Sequence, residues 1–258
     1  MRFNFLVILL ALLILECSTT PLGRRQLILN DDSTLNEMGE KAFNEMKTTI
    51  PIEKSPAINN YVKCISYASI KEATDTTGVQ TWEIVVFRDS AVNAFALPGG
   101  KIGVYTGILQ VANSADKLAA VIGHEIAHVI ARHGNERVSQ SMVASGGMAV
   151  LQGFGGEAAA GILGAGAQYG VILPFSRKHE SEADVIGLEI MSKAGFDPQA
   201  SVSLWQGMAA LGGDKPHELM STHPSDDTRI KELQDNMPAA LANYSAAKSQ
   251  GKTPNCKI

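Results

Sequence analysis

The sequence is short of cysteine, has no surplus of positive charge, and holds no apolar run of membrane-spanning length. Three cysteines, Cys17, Cys64 and Cys256, allow at most one bridge. Lys and Arg number 22 against 26 Asp and Glu, giving a net charge of −4 at pH 7. A nucleic-acid partner is therefore not expected, since such proteins usually carry a basic surface. No fixed-period repeat is present, so solenoids are excluded. The longest apolar run, Phe5 to Leu15, falls short of the ~20 residues of a comfortable membrane crossing. What is there is a chain of 258 residues, 45% hydrophobic and 19% charged, which suits one domain of ordinary size.

The N-terminus reads as a targeting segment. Arg2 supplies a positive start, and Phe5–Leu15 has the length of a signal-peptide core. Glu16-Cys17-Ser18 follows, and a cysteine at this place resembles a bacterial lipobox, whose cysteine is acylated. The residue before that cysteine is normally small, and Glu16 departs from this. Ordinary cleavage near Ser18 to Thr20, or an uncleaved anchor, stays open. All three versions export the chain. Lipidation of Cys17 would leave Cys64 and Cys256 as an even pair, and an oxidising compartment would let them bridge. Two unrelated thiols are the alternative.

Thr34 to Glu37 matches a capping box, with Leu35, Met38, Ala42, Phe43 and Met46 at helical spacing behind it. A second helix is expected over about 57–69. Residues 82–87 (WEIVVF) read as a strand. Residues 93–105 form a hairpin-like unit around Pro98-Gly99-Gly100. Beyond Ser114 the pattern is almost wholly helical. Helices are expected over 114–133, 135–151, 176–193, 198–211 and 226–235, with a Gly/Ala-rich tract from Ala144 to Gly170. That tract, interrupted by Gln152, Glu157 and Gln168, reads as close-packed helix and loop rather than membrane. The fold class is α+β, mainly helical with one small sheet.

The chemistry lies in Val121–His133, VIGHEIAHVIARH. His124 and His128 are four apart on a helix, so their imidazoles lie roughly 40° apart on one face and can share an ion. Glu125 lies about 100° further round, placed to take a proton from water without itself being a ligand. This is the H-E-x-x-H pattern of zinc sites with Glu as general base. His133 fails as a third ligand. It is five positions beyond His128, turned about 140° away, with no glycine before it to bend the chain back. It reads instead as a helix C-terminal histidine with Gly134 as the stop. The third ligand then comes from a later helix, where Ser176–Asp184 offers Glu180 and Glu182. Glu180 shares a face with Asp184, so one carboxylate can bind zinc while the other holds a ligand histidine by its N–H. Glu180 is taken as the ligand and Asp184 as that support. Glu182 reads as an exposed helix charge, and His179 as a neighbour of the site.

These motifs, H-E-I-A-H, then S-R-x-x-E-x-E-A-D, with N-A-F-A-L-P-G-G upstream, resemble the gluzincin endopeptidases of the HtpX and CAAX-prenyl-protease type. Within them the chain is most similar to the periplasmic lipoprotein branch, the LoiP-like and BepA-like proteases. The likeness runs from about Ser33 to Leu233. It implies zinc on His124, His128 and Glu180, catalysis by Glu125, and a zincin-like domain. It also implies degradation of misfolded or unassembled exported and outer-membrane proteins at the periplasmic face of the envelope. The corresponding division is a signal segment (1–17), a polar linker (18–32), a metallopeptidase domain (33–240) and a tail (241–258).

An edge strand over Asn93, Ala94, Phe95 and Ala96 would suit the holding of an extended peptide substrate. A plain core hairpin is the alternative. In the BepA-like relatives a T-H-P loop approaches the zinc, which implies that His223 can cap the ion and hold the enzyme latent. Arg229 either braces that loop or is a surface charge. A periplasmic chaperone or assembly factor using the same cleft, with proteolysis secondary, is the competing function. Oligomeric state is not legible.

Overall fold

The computed structural model describes residues 17–151, 176–210, 223 and 227–258. The apolar run Phe5–Leu15, residues 152–175 with most of the Gly/Ala-rich tract, and the neighbours of His223 lie outside them. Cys17–Thr19 (β1) and Arg25–Leu27 (β2) pair antiparallel. Helices Asp32–Thr49 (α1) and Pro56–Ile70 (α2) follow. Then come strands Glu83–Phe87 (β3), Ala94–Leu97 (β4) and Lys101–Tyr105 (β5). Five more helices complete the described residues: Ala115–Ile130 (α3), His133–Leu151 (α4), Arg177–Lys193 (α5), Gln199–Ala210 (α6) and Asp227–Ser249 (α7). The architecture is α+β as expected, with a second, two-stranded sheet besides the small three-stranded one. Among the described residues no helix is long and apolar enough to cross a membrane.

The three-stranded sheet has the order β3-β5-β4, so β4 is an edge. It pairs with β5 antiparallel, with Ala96 opposite Ile102, while β3 pairs with β5 parallel. Side chains alternate between two buried faces, as strand geometry requires. Ile84, Val86, Ile102 and Val104 face the main core, against Val62 and Ile65 of α2 and Ile122 and Ile126 of α3. Phe87, Phe95 and Tyr105 point the other way and meet Phe43 of α1 in an aromatic cluster, with centroids 5.9–6.2 Å apart. The sheet is thus sandwiched between helices.

Helix starts follow local chemistry. Ser114 caps α3 by accepting from the Lys117 N–H, and Ser176 caps α5 by accepting from that of His179. The first helix differs from its expected capping box. Asp31, not Thr34, is the cap, accepting from the Thr34 N–H at 2.8 Å. Five cap-competent residues, Asn30 to Thr34, stand in a row there, and the second of them takes the place. The last helix runs through Pro238 to Ser249 rather than ending near 235, because Leu233, Ala240 and Ala247 keep one side buried along its length.

Helices α3 and α5 cross where a glycine of each meets the other. A Cβ on Gly123 would lie 2.7 Å from the Gly187 carbonyl oxygen, and one on Gly187 would lie 2.7 Å from the His124 nitrogen. Only glycine permits this approach, which brings His124 against the first two turns of α5. The hairpin β1–β2, in the stretch read as a polar linker, packs on the same region. Gln26 donates to the Ala131 carbonyl, and Leu29 N–H to Ser139. At the other end, Cys64 of α2 is joined to Cys256 in a disulfide that ties the segment after α7 to the core.

Candidate metal centre

Helix α3 carries His124, Glu125 and His128 on its buried side, since its apolar residues Ile122, Ile126 and Ile130 anchor it in the core. Helix α5 brings Glu180 to them, and His223 arrives from the segment before α7. One donor atom from each of His124, His128, Glu180 and His223 lies within 4.8 Å of all the others, and all four residues are buried. The Nε2 atoms of His124 and His128 are 3.0 Å apart. Glu180 oxygens lie 3.4 Å from the first and 3.5 Å from the second. His223 Nδ1 is 3.1 Å from His124 Nε2 and 3.2 Å from Glu180. A zinc ion about 2.0–2.1 Å from each donor would set tetrahedral donors roughly 3.3 Å apart. The observed edges fit that ion.

Charge gives a second, independent fit. Glu125, Glu180 and Asp184 are three buried carboxylates, and the Arg229 guanidinium bonds two of them, with Arg137 also acting on Glu180. Arg229 Nε and Nη2 donate to Asp184 at 2.6 and 2.7 Å, and its Nη1 lies 3.1 Å from Glu180. So many carboxylates in a site closed to solvent are costly without further positive charge. A divalent cation supplies it.

Protonation tendencies agree. Burial opposes ionisation of Glu180, but His223 and His124 outweigh it and hold its carboxyl well below the usual range. Burial likewise opposes Asp184, and Arg229 outweighs it. Burial and the surrounding imidazoles push His128 well below its ordinary value, leaving a neutral ring. His124 is the exception. Burial works against its charge, yet the carboxylates of Asp184 and Glu180 raise it to about 9. Zinc must therefore compete with a proton there.

Asp184 Oδ1 meets His124 Nδ1 at 2.9 Å, the support expected of it. Glu125 accepts from the Ala96 N–H through Oε2 at 3.1 Å. Its Oε1 is buried with no protein hydrogen-bond donor among the described residues, the nearest cationic candidate being His223 Nε2 at 3.6 Å. Burial pushes the Glu125 carboxyl up. Asn93 is buried just ahead of β4, Ala94 and Ala96 face the core side, and the Phe95 ring turns to the aromatic cluster instead. Cys17 opens β1.

Two residues differ from their expected places, and a third, Arg229, takes one of the two roles left open for it. Glu182 is not an exposed charge but 6% exposed, accepting from Thr20 and from Arg24 Nε at 2.8 Å and meeting His133 Nε2 at 3.1 Å. His133 does not end its helix. Arg132 turns the chain with φ 55°, and His133 opens α4, buried, with Nδ1 3.0 Å from His128 Nδ1. It stays outside the donor cluster, as expected. Arg229 is 2% exposed and braces the site, stacked 4.1 Å over Trp205, which also flanks His124. Sequence reading missed Trp205, Arg24 and Glu136. Their partners lie far along the chain, and no local spacing announces them. His179, a neighbour as expected, stacks on His133 and bonds Glu136 at 3.1 Å.

Comparison with known proteins gives the arrangement a lineage. A family model described as peptidase family M48 matches residues 56–237. The mitochondrial metalloendopeptidase OMA1 of Schizosaccharomyces pombe is 43% identical over 164 residues, 62% of this chain and 48% of that protein. OMA1 of Saccharomyces cerevisiae is 37% identical over 198 residues, 72% of this chain and 56% of that one. The beta-barrel assembly-enhancing protease of Escherichia coli is 26% identical over 211 residues, 77% and 42% respectively. The chain spans about half the length of the curated relatives it matches. Because the family match covers most of the chain and takes in every donor of the cluster, the chain belongs to peptidase family M48.

Proposed function

We propose that the protein is a zinc-dependent endopeptidase that cleaves extended segments of misfolded or unassembled proteins of the cell envelope. It would stand with the HtpX and CAAX-prenyl-protease type, near the LoiP-like and BepA-like lipoproteins. The observation that carries the activity is Glu125 Oε1, a buried acceptor with no hydrogen-bond donor among the described residues, beside a cluster sized for zinc. A bound zinc ion supplies a Lewis acid that polarises the scissile carbonyl and makes water nucleophilic near neutral pH. Glu125 takes the proton of the attacking water and returns it to the leaving amine. The Ala96 N–H holds its second oxygen so that the first stays aimed at the cluster.

Substrate would add to β4. That strand is an edge, and the Ala96 N–H reaches Glu125, so the side away from β5 faces the catalytic carboxylate. Backbone pairing there tolerates many sequences, as unfolded clients require. His223, lying where a fourth donor would, is proposed to cap the ion and to leave when substrate enters, since catalysis needs an open position. The envelope setting and an anchor through Cys17 are supported by the apolar run and the cysteine after it.

Casein hydrolysis by wild type and Glu125→Gln, each with and without chelator, tests the reading. Zinc content should be unchanged in the variant while turnover falls about 10²–10⁴-fold. Equal turnover in both would leave the chaperone reading in possession of the cleft.

A further inference from the structure

His128 can bind zinc through Nε2 only if its one ring proton sits on Nδ1. His124 solves the same problem with a carboxylate, since Asp184 accepts from its Nδ1. The support given to His128 Nδ1 is of another kind. Its Nδ1 faces the Nδ1 of another imidazole, His133, at 3.0 Å. Two ring nitrogens at that distance share one proton, and which ring owns it decides whether His128 Nε2 is a ligand.

The neighbours of His133 make that choice. Its Nε2 lies 3.1 Å from Glu182 Oε2. The same oxygen accepts from Arg24 Nε, and the other accepts from Thr20. A carboxylate so engaged is an acceptor only, so His133 must present its N–H at Nε2. A neutral His133 then has a bare lone pair at Nδ1. The shared proton belongs to His128 Nδ1, and His128 Nε2 is left free for an ion. The reverse tautomer would set a lone pair of His133 against the Glu182 carboxylate and cap His128 Nε2 with hydrogen.

The source of the device is the hairpin β1–β2. Arg24, between the two strands, reaches Glu182 with Nε and clamps Glu136 with both terminal nitrogens at 2.8 and 2.6 Å. Glu136 in turn accepts from His179 Nε2, and the His179 ring stacks on His133 with centroids 4.6 Å apart. The hairpin therefore fixes both the acceptor for the His133 proton and the plane of its ring. We propose that His133 and Glu182 are positioning residues that hold His128 as its Nδ1–H tautomer, and that Arg24 makes docking of the N-terminal hairpin a condition for full zinc affinity.

The proposal rests on the zinc reading of the site, and the test separates the two. The full chain is loaded with zinc and titrated with a competing chelator, alongside His133→Phe, Glu182→Ala, Glu182→Gln and Arg24→Ala. His133→Phe keeps a ring to stack on His179 but cannot accept a proton. It and Glu182→Ala should each weaken zinc binding about 10–100-fold. Glu182→Gln, whose carbonyl still accepts from His133, should recover part of that loss, and Arg24→Ala should fall between. Nitrogen-15 histidine spectra of the wild type should show His128 protonated at Nδ1 and His133 at Nε2. That measurement needs no variant to fold. Wild type that binds no zinc would sink the site itself. Wild type that binds zinc with His133 protonated at Nδ1, or a folded His133→Phe with unchanged affinity, would overturn the relay and leave the site standing.

Discussion

His124 and His128 stand one turn apart on α3, yet the molecule backs them with opposite chemistry. Behind His124 lies charge: Asp184, held by Arg229, which also contacts Glu180 and stacks on Trp205. Behind His128 lies a neutral ring, His133, with its charges one bond further out at Glu182, Arg24 and Glu136. The first support belongs to α5 and α7, the second to the N-terminal hairpin, α4 and, through Glu182, α5 again. A carboxylate next to a ligand raises its basicity and draws a competing proton, as His124 shows. An imidazole in that place orients the ligand without adding charge to a site that already holds three carboxylates.

Removing the charge that serves the His124 side should have the largest effect. Arg229→Met leaves Asp184 and Glu180 without their guanidinium, and breaking a buried pair costs about 3–5 kcal/mol. Urea denaturation should show that loss in the chelated protein and a smaller one with zinc present, because the cation takes over part of the compensation. An equal loss in both states would mean that Arg229 serves the fold and not the site. Next comes a bond remote from both supports. Cys64→Ser opens a loop with a sequence separation of 192 and should cost about 2–5 kcal/mol, with zinc affinity of the folded protein unchanged. A matching fall in affinity would show that the segment after α7 reaches the site.

The two supports were not equally legible. Glu180 and Asp184 share one face of one helix, so spacing alone pairs them, and the H-E-x-x-H spacing likewise gives His124, Glu125 and His128. Glu182 has no such partner on its own helix. Its bonds run to His133, 49 positions away, and to Arg24, 158 away, and helical periodicity carries no trace of contacts at that range. The same limit hid Arg229, which spacing left between surface charge and brace. His133 was rightly excluded as a ligand by its angle on a continuing helix. The helix does not continue, however, because Arg132 adopts a left-handed conformation that its residue type does not advertise. Strand β3 was readable from its β-branched and aromatic residues, and β4 and β5 from the turn between them, while β1 and β2 fell in the stretch read as linker. The parallel pairing of β3 with β5 was not readable, since pattern gives faces and not neighbours.

The crossing that serves both supports offers a middle-sized test. Gly187→Ala forces a methyl group to within 2.7 Å of the His124 nitrogen. Overpacking of this kind costs about 1–3 kcal/mol. Zinc affinity should fall with it, because the distance between α3 and α5 sets where Glu180 meets the two histidines. Gly103→Ala is the companion, since its added Cβ meets the Phe95 ring on the far face of the sheet. It should lower stability while leaving zinc affinity of the folded protein alone. If Gly103→Ala weakened zinc as much as Gly187→Ala, general loosening and not helix spacing would account for both.

The smallest effect is the one that best separates the supports, because they titrate in opposite directions. Burial, partly offset by the bond to Glu182, lowers His133 to about 4, below its ordinary ~6.5. As pH falls from ~6.5 towards 4, the unfolded chain takes up a proton that the folded ring refuses, so stability is lost on acidification. His124 is raised to about 9, so its contribution is complete below ~6.5 and is lost as pH rises through 9. In chelated protein, the stability deficit of His133→Phe against wild type should therefore shrink as pH falls from ~6.5 to 4. The deficit of Asp184→Asn should shrink instead as pH rises from ~6.5 to 9. Urea midpoints across that range measure both. Two deficits that moved in the same direction would mean that the two histidines share one electrostatic environment, and that the division between a charged support and a neutral one is not how this site works.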